Sequence, residues 1–263
     1  MLMSRVSLRI RKHLYAAGVC ALTVLGTVLV APASHAEVDV PEAQGEQAVG
    51  STITVEGTMD GELTRYYGEG DLGDGGQDEG QPPIFELADG ATLENVIIGA
   101  PAADGIHCEG SCTLRNVWWE DVGEDAATFD ADSASATMTV QGGGAQLAED
   151  KVFQANGAGT MTISDFQVED FGKLYRSCGN CSDQTDRHVV IENVTATAPG
   201  LSLAGINTNY GDTAEFSEIT VIGDSEMEIC GWYEGNEDSG EPEKVGSGPS
   251  DNCRYDSLDI TFQ

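Results

Sequence analysis

Short runs in which apolar and polar residues alternate recur along the chain. They read TLENVII at 92–98, TLRNVWW at 113–119, TMTV at 137–140, TMTISDF at 160–166, HVVIENV at 188–194, FSEITV at 216–221 and LDITF at 258–262. A period of two predicts half-buried strands. The first six runs start about 21 to 28 residues apart, which is a solenoid period; the last lies further on, past a long loop. Asn95, Asn116, Asp165 and Asn193 take similar places, each before a branched or aromatic residue. Glycine and asparagine between strand patterns, with no leucine ladder, favour a parallel β-helix over a leucine-rich repeat. One such coil cannot bury its inner face alone, so neighbours must stack to complete the core. The expected fold is therefore all-β, a single-domain right-handed parallel β-helix over residues 51–263. Ordinary turn chemistry explains any one of the asparagines; their recurrence equally admits a ladder of stacked amides.

The flanks lack this pattern. Residues 37–50 are acidic and aperiodic, and a mobile arm is expected there. STITVE at 51–56 alternates like a strand. Residues 60–81 are rich in glycine and acids and read as a loop, closed by Pro82 and Pro83 before a strand pattern at 84–87. Residues 235–252 read as a second acidic loop. The first 36 residues have Arg5, Arg9, Arg11 and Lys12, then an apolar run over 14–30, then small residues at Ser34 and Ala36. That is the layout of a secretory signal cleaved after Ala36. The apolar run is short for a membrane span and ends in small residues, so an anchor is disfavoured.

Charge and cysteine content narrow the function classes. Twelve basic residues face 45 acidic ones, a formal net charge of −33. Such a chain is soluble and self-repelling; a monomer is expected, and neither nucleic acid nor an anionic membrane suits it as a partner. Beyond the leader lie six cysteines: Cys108, Cys112, Cys178, Cys181, Cys230 and Cys253. An even number in a secreted chain reads as disulfides. The simplest of the possible connectivities pairs Cys108 with Cys112, Cys178 with Cys181 and Cys230 with Cys253. Zinc at Cys178 and Cys181 is the rival, but no second close pair with metal-like spacing follows it.

Two groups of residues could carry chemistry. Asp104, Glu124 and Asp125 lie in successive units of the stretch 95–125, and stacking would bring these hard oxygen donors together as calcium ligands. In so acidic a chain, a solvated surface is the alternative. The cations are scarcer. Lys151 and Lys173 lie about one coil apart, with Arg176 beside the second. Cations kept on one face against the overall bias suggest an anionic ligand; salt bridges to the abundant acids remain open. Glu79 reads alone as a loop acid, and His107 and His188 as structural. Trp118, Trp119, Trp232, Tyr66, Tyr67 and Tyr175 could stack on sugars, although a core role is the default.

NVIIGAPAADGIHC at 95–108, WEDVGEDA at 119–126, DKVFQ at 150–154 and GKLYR at 172–176 resemble the secreted pectate lyases of polysaccharide lyase family 3, and the resemblance runs from about Gly50 to the C-terminus. It implies a parallel β-helix and calcium-dependent β-elimination on polygalacturonate, the backbone of pectin. Asp104, Glu124 and Asp125 match the family's calcium-site acids. Lys151, Lys173 and Arg176 match its basic cluster, and Glu79 matches an acid at the same cleft. Family members often carry a lysine shortly after the Glu-Asp-Ala motif, where this chain has Thr128, Phe129 and Asp130, so one substrate contact differs. The implied chemistry uses calcium and a cation to withdraw charge from a uronate carboxylate and acidify the C5 proton. Lys151 as neutral amine removes that proton, Lys173 and Arg176 hold carboxylates, and the C4 oxygen departs. A lysine base implies an alkaline optimum. Two other classes remain: a glycoside hydrolase using paired carboxylates such as Glu124 and Asp125, and a non-catalytic, calcium-dependent polysaccharide binder.

Overall fold

The computed structural model describes residues 38–263 apart from 74, 78 and 79, so the expected signal over 1–36 and the cleft acid Glu79 lie outside the described residues. The described strands wind into a parallel β-helix with three faces. On the first face Ile53, Phe85, Ile106, Ala127, Phe153, Tyr175, Ala204 and Cys230 follow one another in register from coil to coil. On the second, Thr92, Thr113, Thr139, Thr162, Val190 and Glu215 do the same. The third face carries Ile97, Trp118, Gly144, Gln167, Thr195 and Thr220. One strand, Thr137–Ala155, crosses all three faces without a break.

The core is the column of inward side chains that the period-two pattern selects. Trp119 meets Phe153 and Phe166 there edge to face, and the two phenylalanines are tilted against each other, with ring centroids 5.3 to 6.4 Å apart. Tyr66 meets Phe85 edge to face at 5.0 Å. Such pairs add to the burial of their large apolar area.

The corner between the second and third faces explains the recurring asparagines. Asn95, Asn116, Asp165, Asn193 and Glu218 all have φ between 51° and 56°, and Gly142 takes the same place at 68°. This left-handed conformation costs most side chains roughly 1–2 kcal/mol, and Asn and Asp tolerate it best. Their side chains then stack. Asn116 Nδ2 donates to Asn95 Oδ1 at 2.8 Å, and Asn95 Nδ2 to Asp60 Oδ1 at 2.9 Å. Asn193 Nδ2 donates to Asp165 Oδ1 at 2.6 Å. Gly142, between Asn116 and Asp165, interrupts the ladder because it has no side chain to pass the bond on.

Three sequence expectations need correction. Residues 37–50 are not a free arm where they are described. Gly45–Val49 pairs in parallel with Thr58–Gly68, and Val38 is buried against Ile97 and Trp118 outside the third face. The few apolar residues of this acidic segment cover an apolar patch that the solenoid leaves bare. The 60–81 loop starts later than expected, because Thr58–Gly68 is a strand that bends at Glu62 and Leu63. Its acids and Gly61 mask an inward Tyr66. The 235–252 excursion contains a strand, Glu243–Ser247, antiparallel to Glu228–Glu234. The cysteines pair in the simplest connectivity, 108–112, 178–181 and 230–253. No thiol of Cys178 or Cys181 is left for zinc.

Candidate active site

The turn that leads into each first-face strand carries the acids. Asp104 precedes Ile106–Cys108, and one coil later Glu124 and Asp125 precede Ala127–Phe129. Glu124 N donates to Ala103 O at 3.0 Å, which locks the two turns together. Gly123 permits this approach, since a Cβ there would come within 2.0 Å of Ala103 O. The three carboxylates are consequently buried, at 7%, 6% and 2% exposure for Asp104, Glu124 and Asp125. One oxygen from each lies within 4.8 Å of the others. Asp104 Oδ1 and Asp125 Oδ1 have no hydrogen-bond partner. Buried carboxylate oxygens that accept no hydrogen bond are costly in a low-dielectric setting, and hard oxygen donors so grouped suit a calcium ion.

The cations face them. Lys151 lies on Thr137–Ala155, Lys173 and Arg176 on Gln167–Ser177, and Lys151 and Lys173 are in register. Lys151 Nζ is 3.3 Å from Glu124 Oε1, 3.4 Å from Asp125 Oδ1 and 3.0 Å from Asp150 Oδ2. Lys173 Nζ donates to Asp150 Oδ1 at 2.9 Å. Arg176 differs from both lysines. It donates from Nη1 to Gly205 O at 3.2 Å and Asn207 Oδ1 at 3.0 Å, and its guanidinium carbon sits 4.2 Å from the centre of the Tyr233 ring.

Charge is unbalanced around Lys151. Burial raises Asp125 well above the ordinary carboxylate value; Lys151 opposes this, and Glu124 and Asp104 reinforce it. Burial likewise raises Glu124, against Lys151 and with Asp104. For Lys151, burial pulls the ammonium pKa down, but Asp125, Glu124 and Asp150 together push it up by more. Acids and base shifted in the same direction describe a cluster with surplus negative charge.

A cleft of about 680 Å³ joins these groups, and His107, Thr128, Gln154, Asn156 and the Cys178–Cys181 turn also line it. His107 Nε2 is 3.0 Å from Asp104 Oδ2. Burial alone would lower its pKa, yet the Asp104 bond and the charges of Asp104, Asp130 and Glu109 raise it. Asp130 lies close to His107 and Glu109. His188 bonds Thr213 Oγ1 at 2.8 Å, a structural role. Tyr66, Trp119 and Tyr175 are core residues, and Trp118 is covered by Val38. The aromatic at the cleft is Tyr233, which the sequence patterns did not single out, and neither Asp150 nor Asn207 carried a signal of its own.

Against this geometry, similarity to known proteins is informative. The chain is 50% identical over 220 residues to pectate lyase H of Emericella nidulans, covering 82% of each chain. It is 48% identical over 221 residues to probable pectate lyase D of the same organism, again covering 82% of each. The crystal structure of the catalytic domain of pectate lyase PelI from Erwinia chrysanthemi superposes with a TM-score of 0.71 at 33% identity, covering 83% of this chain and all of that one. PelI in complex with tetragalacturonic acid gives 0.69 at 32% identity, covering 82% of this chain and 70% of that one. A sequence model described as pectate lyase matches residues 37–239, most of the chain, and the chain belongs to the pectate lyase family.

Proposed function

We propose that this pectate lyase is secreted and calcium-dependent and cleaves polygalacturonate by β-elimination, with Asp104, Glu124 and Asp125 as metal ligands and Lys151, Lys173 and Arg176 as the reacting cations. One observation carries the reading: buried carboxylate oxygens of Asp104 and Asp125 that accept no hydrogen bond lie at the same cleft as the three cations. The tetragalacturonic acid complex of PelI supports the substrate class. Glu79 is proposed as a further acid at the cleft. The leader and the three disulfides support secretion, because such bonds persist in oxidising compartments. The large net negative charge, −33, supports action as a monomer.

When bound, calcium neutralises the acids and draws charge from a substrate carboxylate, which acidifies the proton on the adjacent C5. The chain's own residues then do the following. Lys173 and Arg176 hold uronate carboxylates, Arg176 through the donors its neighbours leave free. Lys151 Nζ, as the neutral amine, accepts the C5 proton. The released electron pair forms the C4–C5 double bond, and the C4 oxygen leaves with the bonding electrons. Two of the three carboxylates that raise the Lys151 pKa, Asp125 and Glu124, are also proposed metal ligands. A metal held there would offset part of the charge that keeps the lysine protonated, with Asp150 still beside it.

The hydrolase reading fits less well. Retaining glycosidases hold their two carboxyl groups roughly 5–5.5 Å apart and inverting ones roughly 6.5–9.5 Å. Glu124 and Asp125 are adjacent in sequence, have oxygens within 4.8 Å, and are both buried. The deciding experiment incubates the protein with polygalacturonate and calcium, then with a chelator. Ultraviolet absorbance from a new C=C bond that grows with calcium and stops growing once chelator is added is expected. Reducing ends without absorbance would mark a hydrolase, and neither signal a binder.

A further inference from the structure

We propose that Tyr233, together with Gly205, is a positioning residue for Arg176: the two form an uncharged seat that orients the guanidinium and leaves its charge for the substrate carboxylate. This rests on the reading of Arg176 as a carboxylate-binding group.

The seat is built by register. Glu86, His107, Thr128, Gln154, Arg176, Gly205 and Gly231 occupy one outward column of the first face, coil after coil. Every coil as far as Arg176 carries a side chain there, and the next two carry glycine. A Cβ at Gly205 would lie 3.0 Å from Arg176 Cδ and 3.1 Å from the Tyr233 ring, and one at Gly231 would lie 3.2 Å from that ring. The two glycines thus clear a floor on which the arginine lies along the helix axis. Tyr233 reaches over this floor from Glu228–Glu234, where it is in register with Asn207. Its ring covers the guanidinium at 4.2 Å, a cation–π contact. The carbonyl of Gly205 and the side chain of Asn207 take Nη1.

The chemistry of these partners is the telling feature. Lys151 and Lys173 each lie within salt-bridge distance of carboxylates. Arg176 makes no such pair among the described residues, in a chain with 45 acidic residues. It is only 6% exposed, and its Nη2 is buried without a hydrogen-bond partner. Gly179 stands beside that nitrogen, and a Cβ there would come within 2.5 Å of it. Arginine stays charged in any protein setting, so a buried guanidinium with an unspent donor is matched to an anion that the chain does not itself supply. A carboxylate in place of the Tyr233 ring would consume that charge. A merely apolar side chain would leave the guanidinium free to swing toward Asp150 or bulk water.

The experiment is a double-mutant cycle with kcat and KM for polygalacturonate at saturating calcium, alongside melting temperatures. Arg176→Lys comes first; a silent variant would overturn the carboxylate-binding reading, and this inference with it. Given a loss there, Tyr233→Leu is expected to lower kcat/KM by roughly tenfold, the scale of a misplaced reacting group. Tyr233→Phe, which keeps the ring, restores most of that activity. In the Arg176→Lys background, Tyr233→Leu is expected to change kcat/KM by less than about twofold, as coupling through one residue requires. Gly205→Ala, whose Cβ would crowd Arg176 Cδ and the Tyr233 ring, repeats the defect in the wild-type background. An equal loss from Tyr233→Leu in both backgrounds would overturn the proposal in favour of a direct contact between Tyr233 and the sugar. So would a Tyr233→Phe defect as deep as that of Tyr233→Leu.

Discussion

Lys151 and Lys173 are register partners on adjacent coils, two like charges set directly opposite each other. Such a pair is destabilising by itself. Asp150 offsets it by binding one lysine with each oxygen, at 3.0 and 2.9 Å. Half-burial would raise the Asp150 pKa, but the Lys173 bond and the charges of both lysines bring it below the ordinary value of 3.8. A depressed folded pKa gives stability that is present above the unfolded value and is lost as pH falls through the folded one. Asp150→Asn should therefore lower the melting temperature at neutral pH and converge on the wild type below about pH 3. The side chain is 47% exposed, so solvent screening holds the effect to about 1 kcal/mol or less. A deficit that persists unchanged into acid would show that the bridge is not its source.

Lys151 stands at the centre of the proposed chemistry. Lys151→Ala, with calcium present, should lose roughly 10²–10⁴-fold in kcat, the usual contribution of a positioned base. Because the surrounding acids raise the lysine pKa, wild-type activity should climb as pH rises, and the residual activity of the variant should lose that alkaline limb. Rates of ultraviolet absorbance change across pH measure both. Wild-type rates from Lys151→Ala would dismiss this residue as the base.

Calcium removal should reveal a cost built into the site. The Asp125 pKa is raised by burial and by its acidic neighbours, so its folded value exceeds its unfolded one. Ionising it costs nothing below the unfolded value and increasingly more as pH rises through the folded one. The ion-free protein should thus lose melting temperature from about pH 4 upward, and the gain on adding calcium should grow over the same range. Asp125→Asn leaves Lys151 with Glu124 and Asp150. It should raise the melting temperature of the ion-free protein at pH 8 by ~2–8 °C, for about 1–2 kcal/mol of relief in a domain of this size, while abolishing the calcium-induced shift. A wild-type melting temperature indifferent to chelator would contradict the assignment.

How far such a site is legible beforehand depends on which residues repeat. The solenoid announces itself through TLENVII and TLRNVWW, because every coil must present the same inward pattern to stack. The lysines follow from it, since 22 positions is one coil. The strand Thr58–Gly68 was read as loop because it carries Asp60, Gly61 and Glu62 at a bend, so the alternation breaks where the chain turns. Residues 37–50 were misread for a related reason: Val38, Val40 and Ala43 dock on the Ile97 and Trp118 patch, and Gly45–Val49 pairs as a strand, without an apolar period. The roles of Asp150, which appears only as part of the DKVFQ run, and of Tyr233 were not legible because they lie across coils. Asp150 matters through a lysine 23 positions on, and Tyr233 through an arginine that only glycine at 205 allows beneath it. Outward side chains obey no pattern of burial, so their partners emerge only once register is known.

The asparagine corner separates two sources of stability that coincide at one residue. Asn116 has φ of 54°. Its Nδ2 donates to Asn95 Oδ1 at 2.8 Å, and its Oδ1 accepts from Trp118 Nε1 at 2.7 Å. Asn116→Gly keeps the left-handed backbone at no steric cost, as native Gly142 does one coil on, but forfeits both bonds and leaves the indole unpaired. That loss should amount to about 1–2 kcal/mol. Asn116→Ala forfeits the same bonds and adds a Cβ in a conformation that costs roughly 1–2 kcal/mol more. Denaturant titration should therefore rank wild type above glycine and glycine above alanine. Equal losses in the two variants would assign the whole effect to the ladder and none to the backbone.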